Sequence, residues 1–271
     1  MTDFYANRRE PLLDQEPCEA QRKRLLDNIS FTEGLFTSHL KAEGTRKDAW
    51  AAWNGMIAYD KWCLMALDYS QGQDIQSLTA ILPQVVEGEE KTHLPHPAHL
   101  TYTRHLAERD TFPYILSLLT FAKLLHLDHL IPRICAQIDV DRQHNRGQDK
   151  LYETIMQKLG LPRVPADASF KHFKAYPILL EAIEASAENR PKLMKAFLKK
   201  WYPSMKGVIW HDKHHKNPLS FIGYWCWEAA LVTYLWDIDD ASYRDMPYYP
   251  KDLVDWARQN SAPHNTSACL T

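Results

Sequence analysis

The sequence is short of the residues that build sheets and hairpins. Only 9 of its 271 residues are glycine, and few segments alternate apolar and polar side chains for long, so strands have little support. Five cysteines, Cys18, Cys63, Cys135, Cys226 and Cys269, are scattered without a CxxC pair. That spacing excludes a thiolate zinc ribbon or a dithiol redox motif and suits a reducing compartment. Long apolar runs are missing too: the richest, around Tyr114 to Leu127, is interrupted by Lys123 and His126, so no membrane span is expected. The opening residues MTDFYANRREPLLDQEP lack the basic-then-apolar order of an export signal. Nor is there an excess of one charge, because the formal net charge is −2, which alone favours neither nucleic acid nor an anionic membrane. A cytoplasmic protein is expected.

What the chain does have is apolar and aromatic content. Hydrophobic residues make up 45%, with nine Trp and thirteen Tyr, enough for a substantial core. The fold class expected is all-α, a helical bundle or stacked antiparallel helix pairs in two halves packed together. Helical spacing predicts a first helix from about Pro17 to Leu40, broken at Gly44 and Thr45, and a second over roughly 46–69 with Trp50, Trp53, Ile57 and Leu64 inward. Asp74 reads as a cap for a third helix that runs past Pro83 with a bend or stop. Apolar helices follow over Phe112–His126 and after Asp128, then an amphipathic one over 149–159 that stops at Gly160. LPRVPADAS is the longest proline-bearing connection in mid-chain. It divides the chain into an N-terminal half, 1–165, and a C-terminal half, 166–260, with a loose tail over 261–271. In the second half Pro177 marks a kink or a helix start, and Leu193, Phe197 and Trp201 line one face of a basic helix.

The stretch from Leu219 to Trp256 carries the densest pattern. Ile222, Trp225, Cys226, Ala229, Thr233 and Trp236 fall at helical spacing, and Phe221, Tyr224, Leu231 and Leu235 form a second apolar face. A helix apolar on both sides is buried on both sides, so one long central helix is predicted. Glu228 lies within that second face and needs a partner from a neighbouring helix. Beyond it, Asp237, Asp239, Asp240 and Asp245 crowd an acidic turn, and the chain restarts as a helix at Pro250. Charge is segregated here. Residues 190–216 hold eight lysines and arginines against Asp212 alone, whereas 219–256 hold seven carboxylates against Arg244 and Lys251.

Two histidine groups invite a metal reading. His93, His96, His99 and His105 stand in or beside the proline-bearing HLPHPAHL segment, which offers no fixed ligand geometry. His211, His214 and His215 have workable spacing but no HExxH frame. No metal and no cofactor is expected at either.

The run Gly223, Tyr224, Trp225, Trp227, Glu228, Ala229, Ala230, followed by D-I-D-D at 237–240 and Y-Y-P-K-D-L at 248–253, resembles the C-terminal domain of the PoNi immunity proteins. Trp201 and Tyr202 in the lysine-rich helix fit the same pattern, and MALDYSQGQDIQSL at 65–78 resembles the companion N-terminal domain more weakly. The resemblance implies an all-helical cytoplasmic protein without enzymatic activity. Such a protein binds and blocks a cognate PoNe-type DNase toxin delivered by type VI or other polymorphic-toxin secretion systems. A DNase needs a basic cleft for polyphosphate, and clustered carboxylates with aromatic anchors can compete for it. The residues expected at the toxin are Asp237, Asp239, Asp240 and Asp245 with Tyr243 and Tyr248, and a second acidic patch of Glu87, Glu89 and Glu90. Gly223, Trp225 and Glu228 are expected to maintain the fold. Reversing Asp239 and Asp240 to lysine should then weaken binding without unfolding. Direct nucleic-acid contact is not expected, and homo-oligomerisation is left open. The rival readings are a metal-dependent hydrolase using the 211–215 histidines with an aspartate of the acidic turn, and a helical scaffold for another partner.

Overall fold

The computed structural model describes residues 3–39, 47–92, 104–171 and 173–261, and every element among them is helical. In order these are α1 (Phe4–Asn7), α2 (Gln15–His39), α3 (Lys47–Ser70), α4 (Ile75–Leu78), α5 (Leu82–Thr92), α6 (Thr111–Leu124), α7 (Ile131–Ile138), α8 (Arg142–Asn145), α9 (Lys150–Lys158), α10 (Tyr176–Glu184), α11 (Arg190–Ser204), α12 (Lys213–Lys216), α13 (Trp227–Leu235) and α14 (Lys251–Asn260). Short 3-10 turns precede α7, α8 and α13. Leu40, Gly44, Thr45, His93, His96, His99 and Cys269, with the side chains of Phe36 and Trp50, lie outside the described residues.

The centre of the molecule is α6, of which every residue but Lys123 is buried. Its sequence TFPYILSLLTFAKL is apolar all round, the signature of a helix covered on every side. Polar groups inside it are satisfied rather than excluded. The Trp62 indole donates to Ser117 at 2.9 Å, and Thr120 reaches the carbonyls of Leu116 and Trp227. α13 lies against α6, and α14 packs on both. On the N-terminal side α3 packs between α2 and α5. A Cβ on Gly88 would stand 2.9 Å from that of Ala58, so the hydrogen at position 88 sets how closely α3 and α5 cross. One continuous core contains residues from both sides of the 165 division, Leu119 and Phe121 from one and Trp227 and Leu231 from the other.

The predicted long helix over 222–236 is not what forms. Residues 221–226 run without regular helix, Gly223 takes φ +99, and the helix begins only at Trp227. The apolar spacing is real, since Phe221, Ile222, Tyr224 and Cys226 are all buried. They are buried as an irregular segment threaded between α3 and α11. Pro177 sits in the first turn of α10, and Pro83 in that of α5, where the missing N–H is harmless. The LPRVPADAS connection is firmly held. Lys150 donates its backbone N–H to Ala168, and Asp149 caps α9 while accepting the N–H of Phe170. Arg163, with a side chain only 1% exposed, pairs with Glu153 and Asp139.

Candidate functional site

α13 ends in a left-handed residue, Asp237 at φ +47. The N–H of Ile238 bonds to Thr233 O at 2.9 Å and that of Asp237 to Tyr234 O at 3.3 Å. These are the two bonds of a Schellman stop, with Ile238 buried beneath it and aspartate where glycine is usual. The stop turns the chain outward, so that Asp237 and Asp239 are exposed. Asp239 accepts the N–H of Ala241 and closes an Asx turn.

Asp240 behaves differently from its neighbours. It is 4% exposed and receives the Tyr249 hydroxyl at 3.0 Å, the Arg244 guanidinium at 3.2 Å and that of Arg258 at 3.3 Å. Arg244 continues to Asp255, and Arg258 to the carbonyl of Ile238. The expected contact role of Asp240 therefore gives way to that of a hub clamping the acidic turn onto α14. Tyr243 is also interior, 1% exposed with its hydroxyl against Thr233. Tyr248 is half-buried, stacked on Tyr202 at 4.9 Å. Asp245 is exposed beside Lys251, whose ammonium holds its carboxyl below the usual range.

The second acidic group does not form a patch. Glu89 is 1% exposed and takes a bidentate guanidinium from Arg104 and the hydroxyl of Tyr114. Glu90 is paired bidentately with Arg133, and Glu87 points to solvent with Lys91. Helical geometry separates neighbours by about 100°, so three glutamates close in sequence face three directions. The basic and acidic segments do not neutralise each other either. The turn carboxylates pair with Arg244, Arg258 and Lys251, while Lys192, Lys195, Lys199 and Lys200 of α11 stay exposed.

The motif residues meet behind this turn. Trp225 donates its indole N–H to Ser70 at 2.7 Å, and the Ser70 hydroxyl lies 2.6 Å from the carbonyl of Ile222. A Cβ at Gly223 would fall 2.3 Å from the Ser70 hydroxyl oxygen. Ser70 also offers its carbonyl to the N–H groups of Arg9 and Glu10, and Glu10 accepts the N–H of Tyr224. Glu228 is 1% exposed. The Trp201 indole donates to it at 2.6 Å. Burial pushes its carboxyl up, opposed by its own backbone N–H and by bonds from Trp201, Tyr176 and Cys226. Trp201, Gly223, Trp225 and Glu228 wall a cavity of about 1010 Å³ together with Tyr59, Trp62 and Tyr114.

The 211–215 histidines lie close together but are engaged with aromatic rings and each other. His211 stacks on Tyr202 and His214 bonds through Nδ1 to the Tyr224 hydroxyl at 2.7 Å. Among the described residues, the histidine–carboxylate group with metal-compatible spacing is a different one, His105, Asp141 and His144. The sequence hid it because His105 and the polar DRQHNRGQDK segment lie far apart along the chain. Burial pushes the thiols of Cys18 and Cys135 up to about 11, so neither is an activated nucleophile.

An all-α fold bearing a rigidly mounted acidic turn is the class these features define. Within it, residues 147–253 match the family model described as PoNe immunity proteins (PoNi), C-terminal. The crystal structure of protein PA2201 from Pseudomonas aeruginosa has the same fold, with TM-score 0.72 over 92% of this chain and 90% of that one at 20% identity. No curated protein matches the sequence.

Proposed function

We propose that this protein is the immunity partner of a PoNe-type DNase toxin, a cytoplasmic binder without catalytic activity that occupies the toxin's active-site cleft. The match of residues 147–253 to the PoNi C-terminal family carries this reading. The geometry supports it in one respect. Asp237, Asp239 and Asp245 project from a turn whose backbone is fixed by Asp240, Arg244 and Arg258. A rigid carboxylate cluster steers a basic partner and loses little conformational freedom on docking. Tyr248 and the exposed Glu87 are secondary contacts, while Asp240, Tyr243 and Glu89 serve from inside. The 165 division separates a companion N-terminal domain from the toxin-facing one. Type VI delivery of the toxin belongs to the same proposal.

Co-expression with a PoNe-type DNase tests it, scoring survival, genomic DNA integrity and co-purification. Rescue with a stable complex is expected. Asp239→Lys with Asp245→Lys should weaken the complex about tenfold or more while leaving the melting temperature within a few degrees. Undiminished affinity in that variant would move the interface to the mouth of the aromatic cavity. Rescue without any complex would remove stoichiometric occlusion. The hydrolase reading has weaker support, because Nδ1 of His214 is tied to the Tyr224 hydroxyl and the acidic-turn carboxylates pair with Arg244, Arg258 and Lys251 instead.

A further inference from the structure

A second constellation lies away from the acidic turn. His105 sits in the loop before α6, Asp141 ends the 3-10 turn after α7, and His144 is on α8. Their ligand atoms all lie within 4.8 Å of one another. The Asp141 carboxylate is 2.8 Å from Nδ1 of His144 and 3.7 Å from Nδ1 of His105. Tetrahedral Zn²⁺ with bonds of about 2.0–2.1 Å places its ligand atoms about 3.3 Å apart, and the two measured spacings bracket that value. From this geometry we infer that His105, Asp141 and His144 form a site for Zn²⁺ or a similar first-row divalent ion.

The argument rests on how the three segments are held. Asn145, wholly buried, accepts the backbone N–H of Leu106 at 2.8 Å and donates to the carbonyls of Arg104 and Ile138, each at 2.8 Å. One side chain thereby fixes the loop carrying His105, the end of α7 and the helix carrying His144. Asp141 is further oriented by accepting the N–H of His144. Zinc sites depend on such outer support for their ligands. The residue types select the ion. Two imidazoles and one carboxylate suit Zn²⁺ and its neighbours, and disfavour Ca²⁺ and Mg²⁺, which take oxygen ligands. Side-chain exposure of 36% for His105 and 59% for His144 leaves a coordination position open to water. On binding through Nδ1 of His144, the ion replaces the hydrogen bond between that ring and Asp141, the neutral ring then carrying its hydrogen on Nε2.

The site is independent of the immunity reading and is tested on the full chain without an affinity tag. Chelator-dialysed protein titrated calorimetrically with ZnCl₂ should take up one equivalent. His144→Ala should weaken that uptake at least about tenfold. His105→Ala with His144→Ala should abolish it with the helical circular dichroism intact. The triple change His211→Ala, His214→Ala, His215→Ala should leave it unchanged. Absence of a saturable equivalent in the unaltered protein, or its survival in the His105/His144 double variant, would overturn the assignment.

Discussion

At position 223 a methyl group has nowhere to go. Gly223 combines φ +99 with a Ser70 hydroxyl 2.3 Å from any Cβ, so Gly223→Ala meets backbone strain and a collision together. Equilibrium unfolding should show a loss of about 3 kcal/mol or more, and a loss below about 1 kcal/mol would mean that the segment re-routes. Glu228 yields a different kind of prediction. Its carboxyl titrates above the ordinary value because it is buried, so the folded state keeps a proton that the unfolded state has released. Stability attributable to it is present at low pH and declines as pH rises from the ordinary carboxylate value through the raised one. Glu228→Gln keeps an acceptor for Trp201 and should remove that decline, seen as a difference between the two melting-temperature profiles. Parallel profiles would assign the dependence to other buried carboxylates such as Glu10 or Asp149, which shift the same way. Glu228→Ala should lower the melting temperature at every pH, having no acceptor for the indole. The need for a partner at Glu228 was legible from its apolar neighbours, but its partner was not. Trp201 lies 27 positions away on a helix whose rotation the spacing alone does not give.

Among the elements, the acidic turn shows what a run of like charges conceals. Asp237, Asp239, Asp240 and Asp245 look equivalent in sequence, yet one is a hub and three face water. Asp240→Ala strips two guanidinium groups and a tyrosine hydroxyl of their shared acceptor. We expect it to destabilise the fold by about 3 kcal/mol, measured by denaturant unfolding, whereas Asp239→Ala should fall within about 0.5 kcal/mol of the starting protein. Charge reversal at 239 and 240 together would therefore report unfolding of the turn rather than loss of a contact. At the helix stop, Asp237→Gly relieves a left-handed aspartate and should leave stability unchanged or raised by a few tenths of a kcal/mol. Most helix positions were legible, because the periodicity of α3, α6, α9 and α11 and the cap at Asp74 are local signals. The segment 221–226 misled for a physical reason. Burial on all sides makes an irregular strand of chain as apolar as a helix, and Gly223 alone marks the difference.

For the whole molecule, the continuous core means that the two halves stand or fall together. Cleaving the chain near residue 165 should give two fragments that unfold or re-associate, and proteolysis or size exclusion would distinguish this from two independent domains. The 165 connection marks a division in the sequence because prolines and polar residues suppress periodicity, but Arg163 and Asp149 anchor it through contacts that no local pattern announces. Across the core, Arg9 pairs with Asp252 of α14 and lies over the Tyr69 ring. Positions 243 residues apart are thus joined directly. A nascent copy cannot seal its core until α14 has left the ribosome, so synthesis interrupted anywhere before that helix should leave a fragment open to proteases.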